Sequence, residues 1–435
     1  MPETTVRIEA QAQFKPLLKS LRIPENPQGR AIGVLIIAGQ GPNQDVRTYV
    51  KLETMEANLP GTISGHQANT WMRLGARAAG ELDREGDIGL IIPAGGKSRS
   101  GGYMRGGQNI KPSEAELTQE VIENVFGNFA PQSNEKYTQA EMELENESHN
   151  TLYNIINAAN IIDERRSKNP NDPNLDNIWI MGSHFHVPRL RVLAALFGID
   201  PSHVLSAEEV IYAASKLKQE EVMQAGGLDR SKFNKQASLQ ALLLARLGEP
   251  ILDRHADYFQ RKLQRGERSL DPLIQAQLDK EQVAQSDRPA RKAELQKKLY
   301  IEEQKDAQLR MNGERRWVRG LATEIDYVLP LAGALKNNAR LKSFLLHFNE
   351  TELDKYGINR LELENANDTN LDNVMVQVRS KINPSDFKWQ VVKSEWENEE
   401  YPEAAKARFR QLGIPGSNIE ALSKAEIPPL RIQTS

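Results

Sequence analysis

Cysteine is absent from this chain of 435 residues. Its absence excludes disulfide bonds, thiolate nucleophiles and cysteine-ligated zinc. Long apolar runs are also missing, because none reaches the roughly 18 residues that a membrane-spanning helix needs. The first segment, MPETTVRIEAQAQFKPLLK, lacks the apolar core of a signal peptide. We therefore expect a soluble protein of the cytoplasm with no membrane span.

An excess of charge of either sign is missing too. The chain carries 56 lysine and arginine residues against 59 aspartate and glutamate residues, which gives a net charge of −3. A nucleic acid or an acidic membrane surface attracts proteins with a strong positive charge. We therefore expect neither of them as a partner.

Short apolar runs alternate with helical patterns between residues 30 and 204. The predicted strands are Ile32 to Ala38, Ile88 to Ile92, Glu141 to Glu145 and Ile178 to Met181. The predicted helices are Asn69 to Glu85, Ser113 to Phe126, Thr151 to Asp163 and Pro188 to Phe197. Almost wholly apolar strands that alternate with helices are typical of a mostly parallel, doubly wound α/β sheet. Glu141 to Glu145 alternates in polarity instead, which favours an edge strand.

Glycines or polar and charged residues follow each predicted strand. In open parallel sheets, ligands bind beyond the carboxyl ends of the strands, so these residues form the candidate site. In chain order they are Gly39, Gly41, Gly95, Gly96, Glu145, Ser148, Asn150, Thr151, Asn154, Ser183, His184, His186 and Arg189.

Two of only 7 histidines stand one residue apart in the stretch MGSHFHVPR. On an extended backbone His184 and His186 point to the same face. They could hold a metal together with a carboxylate, although no third ligand is fixed by spacing. They could also be packed and hydrogen-bonded beside the sheet. We prefer the hypothesis that one histidine transfers a proton and that Arg189, in the first turn of the next helix, binds an anion.

Several candidates also have a purely structural explanation. Ser148 or Asn150 is a suitable N-cap for the helix at Thr151. Asn154 lies on the same helix face as Asn150, which a solvated face explains equally well. Glu114, in the first turn of a helix that opens with a capping box, is favoured there by the helix dipole alone. Glu145 is harder to explain by capping.

The loop KSRSGGYMRGG follows the second strand and is rich in glycine and basic residues. Gly96, Lys97 and Ser98 look like the end of a P-loop, but the first glycine of that motif is replaced by Ile91. Lys97, Arg99 and Arg105 either line an anion-binding loop or belong to a flexible surface loop.

The chain has two further regions. Residues 1–29 form an N-terminal extension, and residues 205–435 have a mainly helical composition with many charges, suited to a protein partner or to self-association. Ser231 to Leu247 and Leu331 to Phe348 have apolar faces and should pack. Near 374–396, the alternating patterns from Val374 to Val378 and from Phe387 to Val391 predict a small β-hairpin.

The motifs of residues 30 to 200 resemble the YdcF-like family, a family of domains of unknown function. The resemblance is carried by Ser113-Glu114-Ala115, by Glu145-x-x-Ser148-x-Asn150-Thr151-x-x-Asn154, and by Ser183-x-Phe185-His186-x-x-Arg189. It implies a Rossmann-like fold whose motifs surround one cleft, bacterial envelope functions, and a nucleotide-like ligand such as S-adenosylmethionine. It also selects His186 over His184, which fills a variable position.

The chain departs from the family pattern in three ways. Ala94 stands where the family has a serine before two glycines, and Gly182 stands where a threonine is common. Many relatives carry a membrane anchor that we do not expect here. The first departure removes any hydroxyl role at residue 94, and the third weakens the link to the envelope.

The sequence favours two classes of function, and a third class explains fewer of its features. The first is a hydrolase or transferase acting on a phosphorylated or nucleotide-like molecule, with His186 as acid/base, Glu145 or Glu114 as the group that orients it or activates water, and Arg189 as the anion-binding residue. The second is a non-catalytic sensor of the same ligand. A structural interaction protein would explain the charged helices but not the strand-end residues.

Overall fold

The computed structural model describes part of the chain. The described residues are 16–38, 70–84, 87–96, 103–105, 108–110, 113–116, 118–119, 122, 140–148, 150–211, 213–214, 278, 281–291, 325–384 and 403–424.

Among the described residues, five parallel strands form the central sheet. They are β1 (Ile32–Ala38), β2 (Ile88–Ala94), β5 (Glu141–Met142), β6 (Ile178–Gly182) and β7 (Val204–Ser206), arranged in the order β5-β2-β1-β6-β7. All residues of β1 and β6 are buried, which explains their uninterrupted apolar sequence. The predicted parallel sheet is confirmed, and the alternating segment at Glu141 does lie at an edge. The strand β7 was not predicted.

Helices flank this sheet. They are α1 (Pro16–Ser20), α2 (Thr70–Arg84), α3 (Thr151–Lys168) and α4 (Val187–Leu196). Both α2 and α3 pack on β1 and β2, while α4 packs on β6 and β7. The fold therefore belongs to the mixed α/β class. The predicted capping box is also confirmed, because Ser113 N donates to Glu116 Oε2 at 2.6 Å and Glu116 N donates to Ser113 Oγ at 3.0 Å.

A small antiparallel pair lies outside the main sheet. It joins β3 (Tyr103–Arg105) to β4 (Gln108–Ile110). Arg105 of the glycine- and base-rich loop belongs to β3, and its contact with an anion stays a prediction. Lys97 and Arg99 lie outside the described residues, as do Gly39 and Gly41 at the end of β1.

Every described element between residues 325 and 424 is helical. The elements are α5 (Ile325–Ala332), α6 (Asn338–Leu345), α7 (Glu350–Asp354), α8 (Arg360–Asn365), α9 (Leu371–Lys381), α10 (Glu403–Gln411) and α11 (Gly416–Lys424). In the part of the chain that the structure describes, none of the helices is long and apolar enough to cross a bilayer. The segment predicted to pack from Leu331 to Phe348 is divided between α5 and α6.

The predicted β-hairpin is wrong over its first half. Residues Val374 to Val378 lie in α9, with Val374 and Val378 buried and Val376 68% exposed. Every second residue in this stretch is apolar, but the first and last are also four residues apart, and that spacing places both on one helix face. The second half, Phe387 to Val391, lies outside the described residues, as does the predicted helix from Ser231 to Leu247.

Polar side chains close the amino ends of α6, α7 and α8 and the carboxyl ends of α5, α6, α7 and α8. Asparagines cap the amino ends, for example Asn349, whose Oδ1 accepts the Glu352 N–H at 2.9 Å within a full capping box. Basic side chains from other helices reach the carboxyl ends. Arg379 donates to Leu335 O at 2.6 Å, and Arg360 donates to Leu346 O at 3.3 Å. These contacts join α5 to α9 into one helical unit.

The helical unit docks on the α/β sheet domain through α3. Arg340 binds Asp163 with two hydrogen bonds, of 2.8 Å from Nε to Oδ2 and 2.7 Å from an Nη to Oδ1. Asn160 Nδ2 donates to Ala334 O at 3.0 Å, and Lys336 N donates to Asn160 Oδ1 at 2.8 Å. These contacts lie in the carboxyl-terminal half of α3, away from its first turn. Whether the second half covers the predicted cleft stays a prediction.

The last two helices connect the helical unit to α4. Arg408 of α10 donates to Glu352 Oε1 at 2.6 Å and lies over the Phe348 ring, 4.7 Å from its centroid. On α11, Asn418 Oδ1 accepts a hydrogen bond from Arg191 of α4. Both partners of this second contact are buried.

The stability of the helical unit should depend on pH through His347. Burial and, second to it, the charge of Arg408 lower the pKa of His347 below its usual value. The unfolded chain then binds a proton near pH 6.5 while the folded protein keeps the imidazole neutral. The stabilising contribution is therefore present above about pH 6.5 and is lost as the pH falls below it. Urea unfolding at about pH 7.5 and pH 5.5 should show a smaller pH effect in His347→Gln. An equal pH effect in the variant would contradict this assignment.

Candidate functional site

The carboxyl ends of the parallel strands share one edge of the sheet. From β1 the chain builds β2 and β5 on one side, and then β6 and β7 on the other. A crevice for a ligand forms where this direction changes. The residues that follow β2, β5, β6 and β7 are described.

Two glycines after β2 hold three segments together. Gly95 N donates to Glu145 O at 2.8 Å, and Gly96 N donates to Ser148 O at 2.9 Å. Glu114 N in turn donates to Gly96 O at 3.1 Å. A Cβ on Gly96 would lie 2.0 Å from Ser148 O, and Gly95 has a φ of +152°. Gly96 therefore requires glycine for close backbone approach, and Gly95 requires it for its positive φ and for its closeness to the Glu114 side chain. Contact of either glycine with a ligand stays a prediction.

Glu145 is buried and fully engaged within the protein. Its Oε1 accepts from Ser148 N at 2.9 Å, Glu147 N at 3.0 Å and Asn157 Nδ2 at 3.0 Å. Its Oε2 accepts from Ser148 Oγ at 2.5 Å. The carboxylate thus organises the turn that follows β5, and it must exchange one of these bonds before it can act on a ligand.

Ser148 and Asn154 extend this network to β2. The Ser148 hydroxyl also contacts Asn154 Oδ1, so its single proton is shared between the asparagine and Glu145. Asn154 Nδ2 donates to Ala94 O at 3.4 Å. We call Gly95, Gly96, Glu145, Ser148 and Asn154 the strand-end cluster.

Glu114 lies against the strand-end cluster from a different helix. Its Oε2 is 2.8 Å from the position that a Cβ on Gly95 would occupy. The residue stands directly after Ser113, in the first turn of its helix, and is half-buried. The sequence motif therefore does bring Glu114 to the same edge as Glu145.

The first turn of α3 contains one cap and one polar contact. Asn150 Oδ1 accepts the Tyr153 N–H at 2.9 Å from an extended backbone, so the N-cap interpretation of Asn150 is confirmed. Thr151 Oγ1 accepts a hydrogen bond from an Nη of Arg189. The beginning of α3 is thereby tied to the beginning of α4. Burial raises the pKa of Tyr153 in the same turn.

Arg189 also engages His186. The Nη that reaches Thr151 lies 3.4 Å from His186 Nε2. An arginine nitrogen can only donate, so Nε2 is the acceptor in a hydrogen bond between these two side chains. His186 is 1% exposed. The two residues that the sequence assigned to chemistry and to anion binding are therefore neighbours.

The two histidines do not lie on an extended backbone. Residues His184–His186 form a 3-10 turn between β6 and α4. Ser183 O accepts from His186 N at 2.8 Å and from Val187 N at 3.2 Å. The same-face argument is wrong because the chain turns directly after the strand. In the part of the chain that the structure describes, no three histidine, aspartate or glutamate side chains come together as metal ligands would.

Ser183 has a buried polar side chain directly after the carboxyl end of β6. It occupies the N-cap position of the turn but makes no side-chain cap bond. Its side chain is 1% exposed, and its Oγ has no hydrogen-bond partner among the described residues. A buried hydroxyl without a partner costs about 1–3 kcal/mol and is uncommon. We call Thr151, Ser183, His186 and Arg189 the arginine cluster.

Sequence reasoning missed Glu208. This glutamate follows β7, is buried, and accepts the His184 N–H at 2.7 Å through Oε2. The short run Val204 to Ser206 with an acidic helix start behind it could have signalled another strand end. Placing the domain boundary at 204 hid that signal.

A cavity of about 550 Å³ lies at the opposite edge of the sheet. Its lining comes from the segments before β1, β6 and β7, including Pro24, Pro173 and His203. Asparagines in this lining already serve the fold, since Asn26 and Asn177 both donate to Arg30 O at 3.2 Å. The cavity therefore does not coincide with the residues that follow the strands.

Comparisons of the chain with protein-family models, with curated proteins and with solved structures find no match.

Proposed function

We propose that this chain binds an anionic, phosphorylated or nucleotide-like small molecule through the arginine cluster. The observation that carries the proposal is the buried Ser183 hydroxyl, which has no partner among the described residues and does not cap its own turn. A ligand oxygen would satisfy it. The hydroxyl follows the carboxyl end of β6, where open parallel sheets bind ligands.

The charge around Ser183 supports an anionic ligand. The helix α4 begins four residues later with Pro188 in its first turn, so its amino end adds partial positive charge. Arg189 adds a full positive charge one turn from His186. Backbone donors, a guanidinium and hydroxyls are the groups that bind phosphate in proteins.

The order of the strands supports the nucleotide-like part of the proposal. Counted along the chain, the five strands of the sheet lie in the order third, second, first, fourth and fifth. This is the order of Rossmann-like sheets, which bind nucleotides where the order reverses. The fold therefore agrees with the YdcF-like resemblance and with S-adenosylmethionine as one candidate ligand, although fold alone does not select a ligand.

Catalysis at this site would use His186. An anion that binds Arg189 competes for the guanidinium that now contacts Nε2, and it would thereby release the ring as an acid/base for a phosphate-ester hydrolase or transferase. The saturated carboxylate of Glu145 favours the second candidate, a non-catalytic sensor, whose signal would pass through the helices after residue 205 to a partner. Turnover that is lost in His186→Ala while binding persists would select the enzyme.

The anion site predicts a specific loss of binding in Arg189→Ala. Removal of a charge-assisted contact should weaken the binding of inorganic phosphate, and of any nucleotide-like ligand, at least about tenfold. Isothermal titration of the full chain with phosphate, adenosine monophosphate and S-adenosylmethionine measures the effect. Arg410→Ala is the matched control, because that side chain is 60% exposed on α10. If no ligand binds wild type, or if both variants bind equally well, the proposal is wrong.

A further inference from the structure

Glu208 belongs to the same edge of the sheet as the arginine cluster. The strand before it, β7, pairs with β6 so that Ser206 lies opposite Gly182. The chain then leaves β7 into a helical segment, and Glu208 stands two residues beyond the strand. This places a glutamate beside the turn that begins at Ser183.

The carboxylate of Glu208 is directed to that turn. It is 1% exposed, and its Oε2 accepts the His184 N–H at 2.7 Å and lies 3.3 Å from Ser206 Oγ. A carboxylate taken out of water is costly unless donors surround it. A buried glutamate at this position therefore needs a reason beyond packing.

Capping of its own helix does not supply that reason. Ser206 Oγ already accepts the Glu209 N–H, at 3.3 Å, in the manner of an N-cap. The N-cap bond of that helix is thus made by Ser206 and not by Glu208. Glu208 does make a close contact with a residue that lies 24 positions earlier in the chain.

The His184 N–H needs a hydrogen-bond acceptor from outside the turn. The internal bonds of the turn run from His186 N and Val187 N to Ser183 O, which leaves the His184 N–H without an acceptor inside the turn. Glu208 provides that acceptor. Because α4 continues from the turn without a break, the direction of this one bond affects where Ser183, His186 and Arg189 lie.

We propose that Glu208 is a positioning residue, which holds the His184–His186 turn in place so that Ser183 and Arg189 meet the same ligand. This inference rests on the proposed anion site but concerns a residue outside it. The bond depends on the reach of an oxygen atom more than on its charge. An amide of the same length should therefore replace the carboxylate, and a shorter carboxylate should not.

Two substitutions of Glu208 separate the effect of the position of its oxygen atom from the effect of its charge. Glu208→Gln keeps an oxygen at the same distance without the charge, and we expect phosphate affinity within about threefold of wild type. Glu208→Asp keeps the charge but withdraws the oxygen by one methylene, and we expect affinity to fall at least about tenfold. Glu209→Gln, on the next residue, is the matched control and should bind as wild type. Isothermal titration of the full chain with inorganic phosphate measures all four proteins.

The opposite ranking of the two Glu208 variants, or equal affinities in all four proteins, would overturn the positioning role. A wild type that does not bind phosphate contradicts the proposed function instead. In that case the ring signals of His186 in a proton–nitrogen NMR spectrum decide the role of Glu208. They should move in Glu208→Asp and stay in place in Glu208→Gln, and unchanged signals in both variants would contradict the positioning role.

Discussion

Replacing Gly96 by alanine is expected to remove most of the stability of the sheet domain. The new Cβ would lie 2.0 Å from Ser148 O and 3.0 Å from Glu147 C, which are both backbone atoms. Neither atom can turn away as a side chain would, because Ser148 O also accepts the Gly96 N–H at 2.9 Å. The substitution therefore breaks that bond and displaces the turn organised by Glu145. We expect a loss of more than about 4 kcal/mol, against a total of about 5–15 kcal/mol for a typical domain.

Urea unfolding followed by circular dichroism measures this loss, with Gly416→Ala as the matched control. A Cβ on Gly416 meets nothing within 4 Å, and the residue begins α11. Alanine is preferred there, so the control should change the unfolding free energy by less than about 1 kcal/mol, in the stabilising direction. Similar midpoints for wild type and Gly96→Ala would show that the strand-end cluster is not as tightly closed as described.

The long strands could be predicted because buried strands have a recognisable sequence pattern. In β1 and β6 every residue is buried, so the sequence is apolar without interruption. The strand β7 has only three residues, and such a short run has no period of its own. Its identity as a strand depends on pairing with β6, which is a tertiary contact. The local pattern, a short apolar run before an acidic helix start, is only a weak signal for it.

The sequence predicted that several candidate residues lie close together, but not which hydrogen bonds they make. Gly95, Glu145, Ser148 and Asn154 do meet at the carboxyl ends of the strands, as the order of motifs indicated. Their hydrogen bonds are made with one another, however, and a sequence does not show which polar groups satisfy which. Ser183 is the reverse case, because its importance lies in a bond that it does not make within the described structure.

The second large loss of stability is expected where the helical unit contacts α3. Asp163 on α3 is 8% exposed, and it accepts hydrogen bonds from Arg340 of α6 and, at 3.0 Å, from Arg166. Asp163→Ala leaves the Arg340 guanidinium without its carboxylate, while Arg166 keeps its pair with Asp176, and Arg340 is only 15% exposed. Removing one partner of a buried ion pair typically costs about 3–5 kcal/mol, and partial exposure of Arg340 puts our expectation near 3 kcal/mol.

The arrangement of Asp163, Arg340 and Arg166 also predicts the order in which three substitutions lower the free energy of unfolding. Arg340→Met should cost less than Asp163→Ala, because Arg166 still pairs with Asp163 and the methionine still packs. Glu364→Ala breaks the exposed pair with Arg360 and should cost no more than about 1 kcal/mol. Urea unfolding monitored by tryptophan fluorescence measures all three. If Asp163→Ala proved as mild as Glu364→Ala, the unit would be held on the sheet domain mainly by apolar contacts such as Phe197 with Phe344, whose rings lie 5.1 Å apart. The bidentate pair would then serve only to select the orientation of α6 on α3.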